Sequence, residues 1–130
     1  MTQEKKNILI VDDDIDFLMQ AKICVEHAGY NVITAESQKE AEEYIENSKP
    51  DLAIFDLMME KEDSGFILSY KLKKKYPNVP VIIATAVTSE TGMIFNLEND
   101  GAHQWIKADK YLDKNLRPDQ LKREIAKLLG

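Results

Sequence analysis

The chain is short of almost everything that builds a specialised scaffold. One cysteine among 130 residues rules out an internal disulfide framework. Cys24 falls in an amphipathic stretch, as a small buried apolar residue would. Four prolines and five glycines exclude collagen-like or low-complexity segments, and no repeat of solenoid period is present. No apolar run reaches the roughly 20 residues a membrane helix needs, and no secretory leader opens the sequence. The expected location is cytoplasmic, without membrane contact. Basic excess is also lacking: 17 Lys and Arg against 23 Asp and Glu give a net charge of −6, which argues against direct nucleic-acid binding. What remains is an ordinary globular composition, 44% hydrophobic and 31% charged. Its length suits one domain spanning 1–130, with a core over about 6–129 and no room for an output domain.

Short apolar runs alternate with helical patterns. Asn7–Val11, Val32–Ala35, Leu52–Phe55, Val81–Ala84 and Tyr111–Leu112 are β-branched-rich or continuous, as strands covered on both faces are. Between them lie amphipathic segments. Ile15–Ala28 places Phe17, Ala21, Cys24 or Val25, and Ala28 on one face, with Gly29 as its cap. Ser37 with Glu40 forms a capping box for a helix to about Asn47 that buries Ala41, Tyr44 and Ile45. A third helix runs from about Ser64 to Lys75 with Phe66, Tyr70 and Leu72 apolar, and a short one starts near Ser89 with Met93 and Leu97. Pro118 opens the last, with Leu121, Ile125 and Leu128 along one side. Five such alternations predict an α/β fold: a doubly wound, five-stranded parallel sheet in the order 2-1-3-4-5, helices on both faces.

The strand ends carry the chemistry. Asp12-Asp13-Asp14 follows the first strand, Asp56 the third, Thr85 the fourth and Lys114 the fifth. Each has a plain structural reading. Asp14 suits a helix N-cap, and Asp56 suits a strand-end turn. Asp12 and Asp13 at a strand end are not explained that way. In the 2-1-3-4-5 order the first and third strands are neighbours, so the pair meets Asp56 where open α/β sheets bind ligands. Carboxylates so close repel one another, and a hard cation such as Mg²⁺ relieves this. With a hydroxyl and an ammonium nearby, the set suits phosphoryl transfer onto an aspartate nucleophile. Met58 and Met59 suit packing rather than metal ligation by sulfur. A flavodoxin-like cofactor carrier would want hydroxyl- and glycine-rich phosphate loops, whereas this pocket is anionic.

Ile8–Asp14, Pro50–Met59, Thr85-Ala86 and Tyr111-Leu112-Asp113-Lys114 together resemble the signature of response-regulator receiver domains of two-component signalling, over essentially the whole chain. The resemblance implies that Asp56 is the phosphoacceptor. It implies that Asp13 and Asp56 bind Mg²⁺ directly, with Asp12 through water and Met58 through its carbonyl. Thr85, Ala86 and Lys114 would contact the phosphoryl group, and Tyr111 would be the aromatic that changes rotamer on activation. The implied partners are a histidine kinase or phosphotransfer protein and a downstream protein or dimer mate. Such a domain is a switch rather than an enzyme, promoting only its own phosphorylation and dephosphorylation. Three departures stand: Glu60 and Asn115 replace prolines usual in the family, Asp63-Ser64-Gly65 carries one extra residue, and the stretch from Thr85 to Lys114 is long. That length admits a second register, with Trp105 and Lys107 as the aromatic and the lysine and His103 close by. Lys114 is preferred because Leu116-Arg117-Pro118 then enters the final helix directly. The alternative to a phosphoacceptor is a receiver-like interaction module that works without phosphorylation.

Overall fold

The computed structural model describes residues 6–56, 64–85, 110–113 and 118–129. Strand β1 (Asn7–Val11) leads to helix α1 (Ile15–His27). Then come β2 (Asn31–Ala35), α2 (Gln38–Asn47), β3 (Leu52–Asp56), α3 (Ser64–Lys75), β4 (Val81–Thr85), β5 (Lys110–Asp113) and a terminal helix α4 (Pro118–Leu129). The strands form one sheet in the order β2-β1-β3-β4-β5, and all pairs are parallel. The expected topology is therefore the observed one. The expected helix near Ser89 lies outside the described residues.

The unbroken apolar strands make sense once both faces are seen. Side chains alternate across a strand, so each run divides between two cores. Leu9, Val11, Ala53, Phe55, Val81 and Ile83 pack with Ala41 and Ile45 of α2 and Leu68 and Leu72 of α3. Ile8, Ile10, Leu52, Ile54 and Ile82 pack with Leu18, Ala21 and Val25 of α1 and Leu121 and Ile125 of α4. A polar residue inside β1, β3 or β4 would be desolvated on one side or the other.

Local chemistry sets the helix ends. Ser37 caps α2, its hydroxyl accepting from the Glu40 N–H at 3.1 Å. At the end of α1 the cap is Ala28, and Gly29 just beyond it takes φ +99°, a region that favours glycine. One face assignment is corrected. Leu18, Ala21, Cys24 and Val25 form the buried face of α1, while Ala28 is exposed because the helix has ended there. On α3 the inward positions are Leu68 and Leu72, and Tyr70 is 44% exposed. An ion pair of 2.8 Å between Lys71 and Glu42 ties α3 to α2, and Lys75 Nζ donates to the Glu46 carbonyl. The basic run of α3 is thus partly spent on its neighbour.

Candidate functional site

The register brings the acidic residues together. Val11 pairs with Phe55 across β1 and β3, so Asp12 and Asp56, each one step further on, leave the central strands at the same level. The Asp12 N–H donates to the Ala35 carbonyl at 3.1 Å, which ties this turn to β2 as well. Asp12 is fully buried and Asp56 is 4% exposed, while Asp13 faces solvent. One carboxylate oxygen from each of the three lies within 4.8 Å of the other two.

The turn after β1 has its own internal order. Asp12 Oδ1 accepts from the Asp14 N–H at 2.8 Å. Asp14 Oδ1 accepts from the N–H groups of Asp16 (3.1 Å) and Phe17 (3.3 Å), which makes it the N-cap of α1. The three consecutive aspartates therefore divide: one caps the helix, and two face Asp56.

Two buried carboxylates beside a third are costly unless positive charge joins them. The donor set is oxygen only, which suits Mg²⁺ rather than a softer metal. Octahedral coordination at about 2.1 Å spaces ligand oxygens by roughly 3–4 Å. An arrangement within 4.8 Å matches this with a small contraction or one intervening water. The residues fit the ion.

Around this pocket, the backbone of Asp56 pairs with Ala84 and that of Thr85 with Asp113. The ends of β3, β4 and β5 thus form one continuous edge beside Asp12 and Asp13. Tyr111 pairs with Ile83, two positions back from that edge. Met58, Ala86 and Lys114 lie outside the described residues, as do Glu60, His103, Trp105, Lys107 and Asn115. Sequence reasoning did not find the amide of Asp14 on Asp12, because a backbone donor leaves no mark in residue identity.

The chain is thus a doubly wound parallel sheet with an acidic cluster at its carboxyl edge. Comparison with known proteins identifies the family. The sequence profile of the response regulator receiver domain matches residues 8–126, and the chain belongs to that family. The alkaline phosphatase synthesis transcriptional regulatory protein PhoP of Bacillus subtilis is 31% identical over 124 residues, which cover 95% of this chain and 48% of PhoP. The phosphate regulon transcriptional regulatory protein PhoB of Pseudomonas aeruginosa is 32% identical over 126 residues, covering 95% of this chain and 52% of PhoB. The chain spans about half the length of these curated relatives. Among solved structures, a CheY-like receiver domain protein from Methanospirillum hungatei superposes with a TM-score of 0.81 at 32% identity, covering 97% of this chain and 94% of the other. Response regulator TrrA from Thermotoga maritima, solved in complex with Mg²⁺ and BeF, gives a TM-score of 0.79 at 28% identity over 95% of this chain and 99% of its own.

Proposed function

We propose that this domain is a Mg²⁺-dependent phosphoacceptor and that Asp56 takes the phosphoryl group. The observation that carries the reading is the placement of Asp56, buried at the end of a central strand, with one oxygen within 4.8 Å of oxygens from Asp12 and Asp13. A carboxylate oxygen of Asp56 attacks phosphorus. The bond from phosphorus to the donor's imidazole nitrogen breaks as the new P–O bond forms, and the nitrogen keeps the electron pair. Bound between these carboxylates, Mg²⁺ supplies charge neutralisation for the phosphoryl oxygens. Asp12, Asp13 and Asp56, with the Met58 carbonyl, would hold the ion. Thr85, the Ala86 amide and Lys114 receive the phosphoryl oxygens. Tyr111 then turns inward, and the face around the helix expected near Ser89, β5 and the final helix α4 is repacked.

The donor is a histidine kinase or phosphotransfer protein and the reader is a second protein, in the cytoplasm. A net charge of −6 favours protein over nucleic acid as the direct contact of this domain. No described helix is long and apolar enough to cross a membrane.

The test uses acetyl phosphate and Mg²⁺ with intact-mass detection. Wild type gains one phosphoryl group, the adduct needs Mg²⁺, and Asp56→Asn gains none. Uptake by Asp56→Asn equal to wild type sinks the acceptor assignment. A wild-type chain that takes no label from acetyl phosphate or from any phosphorylated kinase is instead an interaction module.

A further inference from the structure

The third aspartate of the Asp12-Asp13-Asp14 run does more than start a helix. Its carboxylate accepts from the N–H groups of Asp16 and Phe17, and its carbonyl accepts from the Leu18 N–H at 2.9 Å. These bonds hold Asp14 at φ −86°, ψ 104°. The direction of a residue's N–H follows from its φ, so the cap also aims the Asp14 amide. That amide donates to Asp12 Oδ1 at 2.8 Å. Asp12 is fully buried, and its own backbone is fixed on β2 through the Ala35 carbonyl. The amide of a capping residue is thus one of the groups that hold the Asp12 carboxylate in its rotation.

We propose that Asp14 is a positioning residue for the acidic pocket: by capping α1, it holds its amide on Asp12 and so sets the angle at which Asp12 meets Asp13 and Asp56. This rests on the reading of the pocket as a Mg²⁺ site. The coupling has a direct consequence. The start of α1 and the geometry of the pocket form one unit, so loosening the helix's first turn loosens the pocket. An outer residue that orients a ligand commonly changes metal affinity tenfold or more when removed.

The charge of Asp14 offers a competing explanation, and the experiment separates the two. Mg²⁺ affinity is measured by calorimetric titration for wild type, Asp14→Ala, Asp14→Asn and Asp14→Ser, with the melting temperature of each. Asn and Ser keep a capping oxygen but lose the charge, whereas Ala loses both. The expected result is a Kd for Asp14→Ala raised about tenfold, with Asp14→Asn and Asp14→Ser within about twofold of wild type. Should Asp14→Ala not fold, Asp14→Gly replaces it, since glycine at an N-cap costs only a few tenths of a kcal/mol. If the capless variant melts lower but binds Mg²⁺ like wild type, Asp14 is a cap and nothing more. Asn and Ser variants as weak as Ala would assign the effect to charge and overturn positioning. A wild-type chain that binds no Mg²⁺ overturns the metal reading and this inference together.

Discussion

Ser37 and Asp14 perform the same local task at two helices, yet only one of them stands beside the pocket. Ser37→Ala should cost about 1 kcal/mol of stability and leave Mg²⁺ affinity untouched, as measured by denaturant unfolding and metal titration on the same sample. Tyr44 gives a second residue-scale test. Burial, then the Asp51 carboxylate, then Tyr76, push its hydroxyl above its ordinary value. The folded state therefore holds the Tyr44 proton more tightly than the unfolded chain. That contribution to stability is complete below the ordinary tyrosine range and is lost as pH rises through the raised value. Ultraviolet titration should show a tyrosine ionising late, and Tyr44→Phe should remove that step. At this scale the sequence was legible where chemistry is local. Ser37 and Glu40, Asp14 and Pro118 all mark helix starts by their own side chains. It was not legible which of Asp12 and Asp13 would be buried. That depends on how β1 exits beside β3, which is a tertiary fact.

Helix α1 shows why an element can be legible in extent but ambiguous in orientation. Its ends were evident from Asp14 and Gly29. Its faces were not, because two apolar rows run along it. Leu18, Ala21, Cys24 and Val25 meet the sheet. Ile15, Met19 and Ile23 recur every fourth residue, about 40° apart around the axis, and remain 46%, 50% and 53% exposed on the outer side. Periodicity cannot tell an inward row from an outward one. This outer row starts two residues after Asp13. The proposed protein donor has a surface with which to meet this row, whereas acetyl phosphate has none. Met19→Glu should therefore leave acetyl phosphate labelling unchanged and shift stability by no more than about 0.5 kcal/mol. It should slow transfer from a phosphorylated kinase that labels wild type. Equal slowing with both donors would instead place Met19 in the folding or chemistry of the pocket.

The whole molecule combines an apolar sheet with an acidic edge, and the two trade stability against each other. The continuous apolar runs of β1, β3 and β4 pointed to the doubly wound order, because only strands covered on both faces tolerate them. The pocket followed from that order, since β1 and β3 become neighbours only when the chain reverses its winding after β2. Its closing groups were less legible: Lys107 and Lys114 both suit the sequence after Thr85, and both lie outside the described residues. The trade-off makes a measurable prediction. Without metal, Asp13 adds negative charge within 4.8 Å of Asp12 and Asp56, which destabilises the folded state but is absent once the chain unfolds. Asp13→Asn should therefore raise metal-free stability, by on the order of 1 kcal/mol for so exposed a group. The same substitution removes a ligand. Mg²⁺ at 100 times its Kd stabilises the wild-type fold by about 2.7 kcal/mol, and Asp13→Asn should lose most of that increment. Urea unfolding with and without Mg²⁺ then gives crossing behaviour: the variant is more stable in chelator, and wild type is more stable in saturating Mg²⁺. Parallel curves, with the variant shifted equally in both conditions, would show that Asp13 contributes surface charge and does not hold the ion.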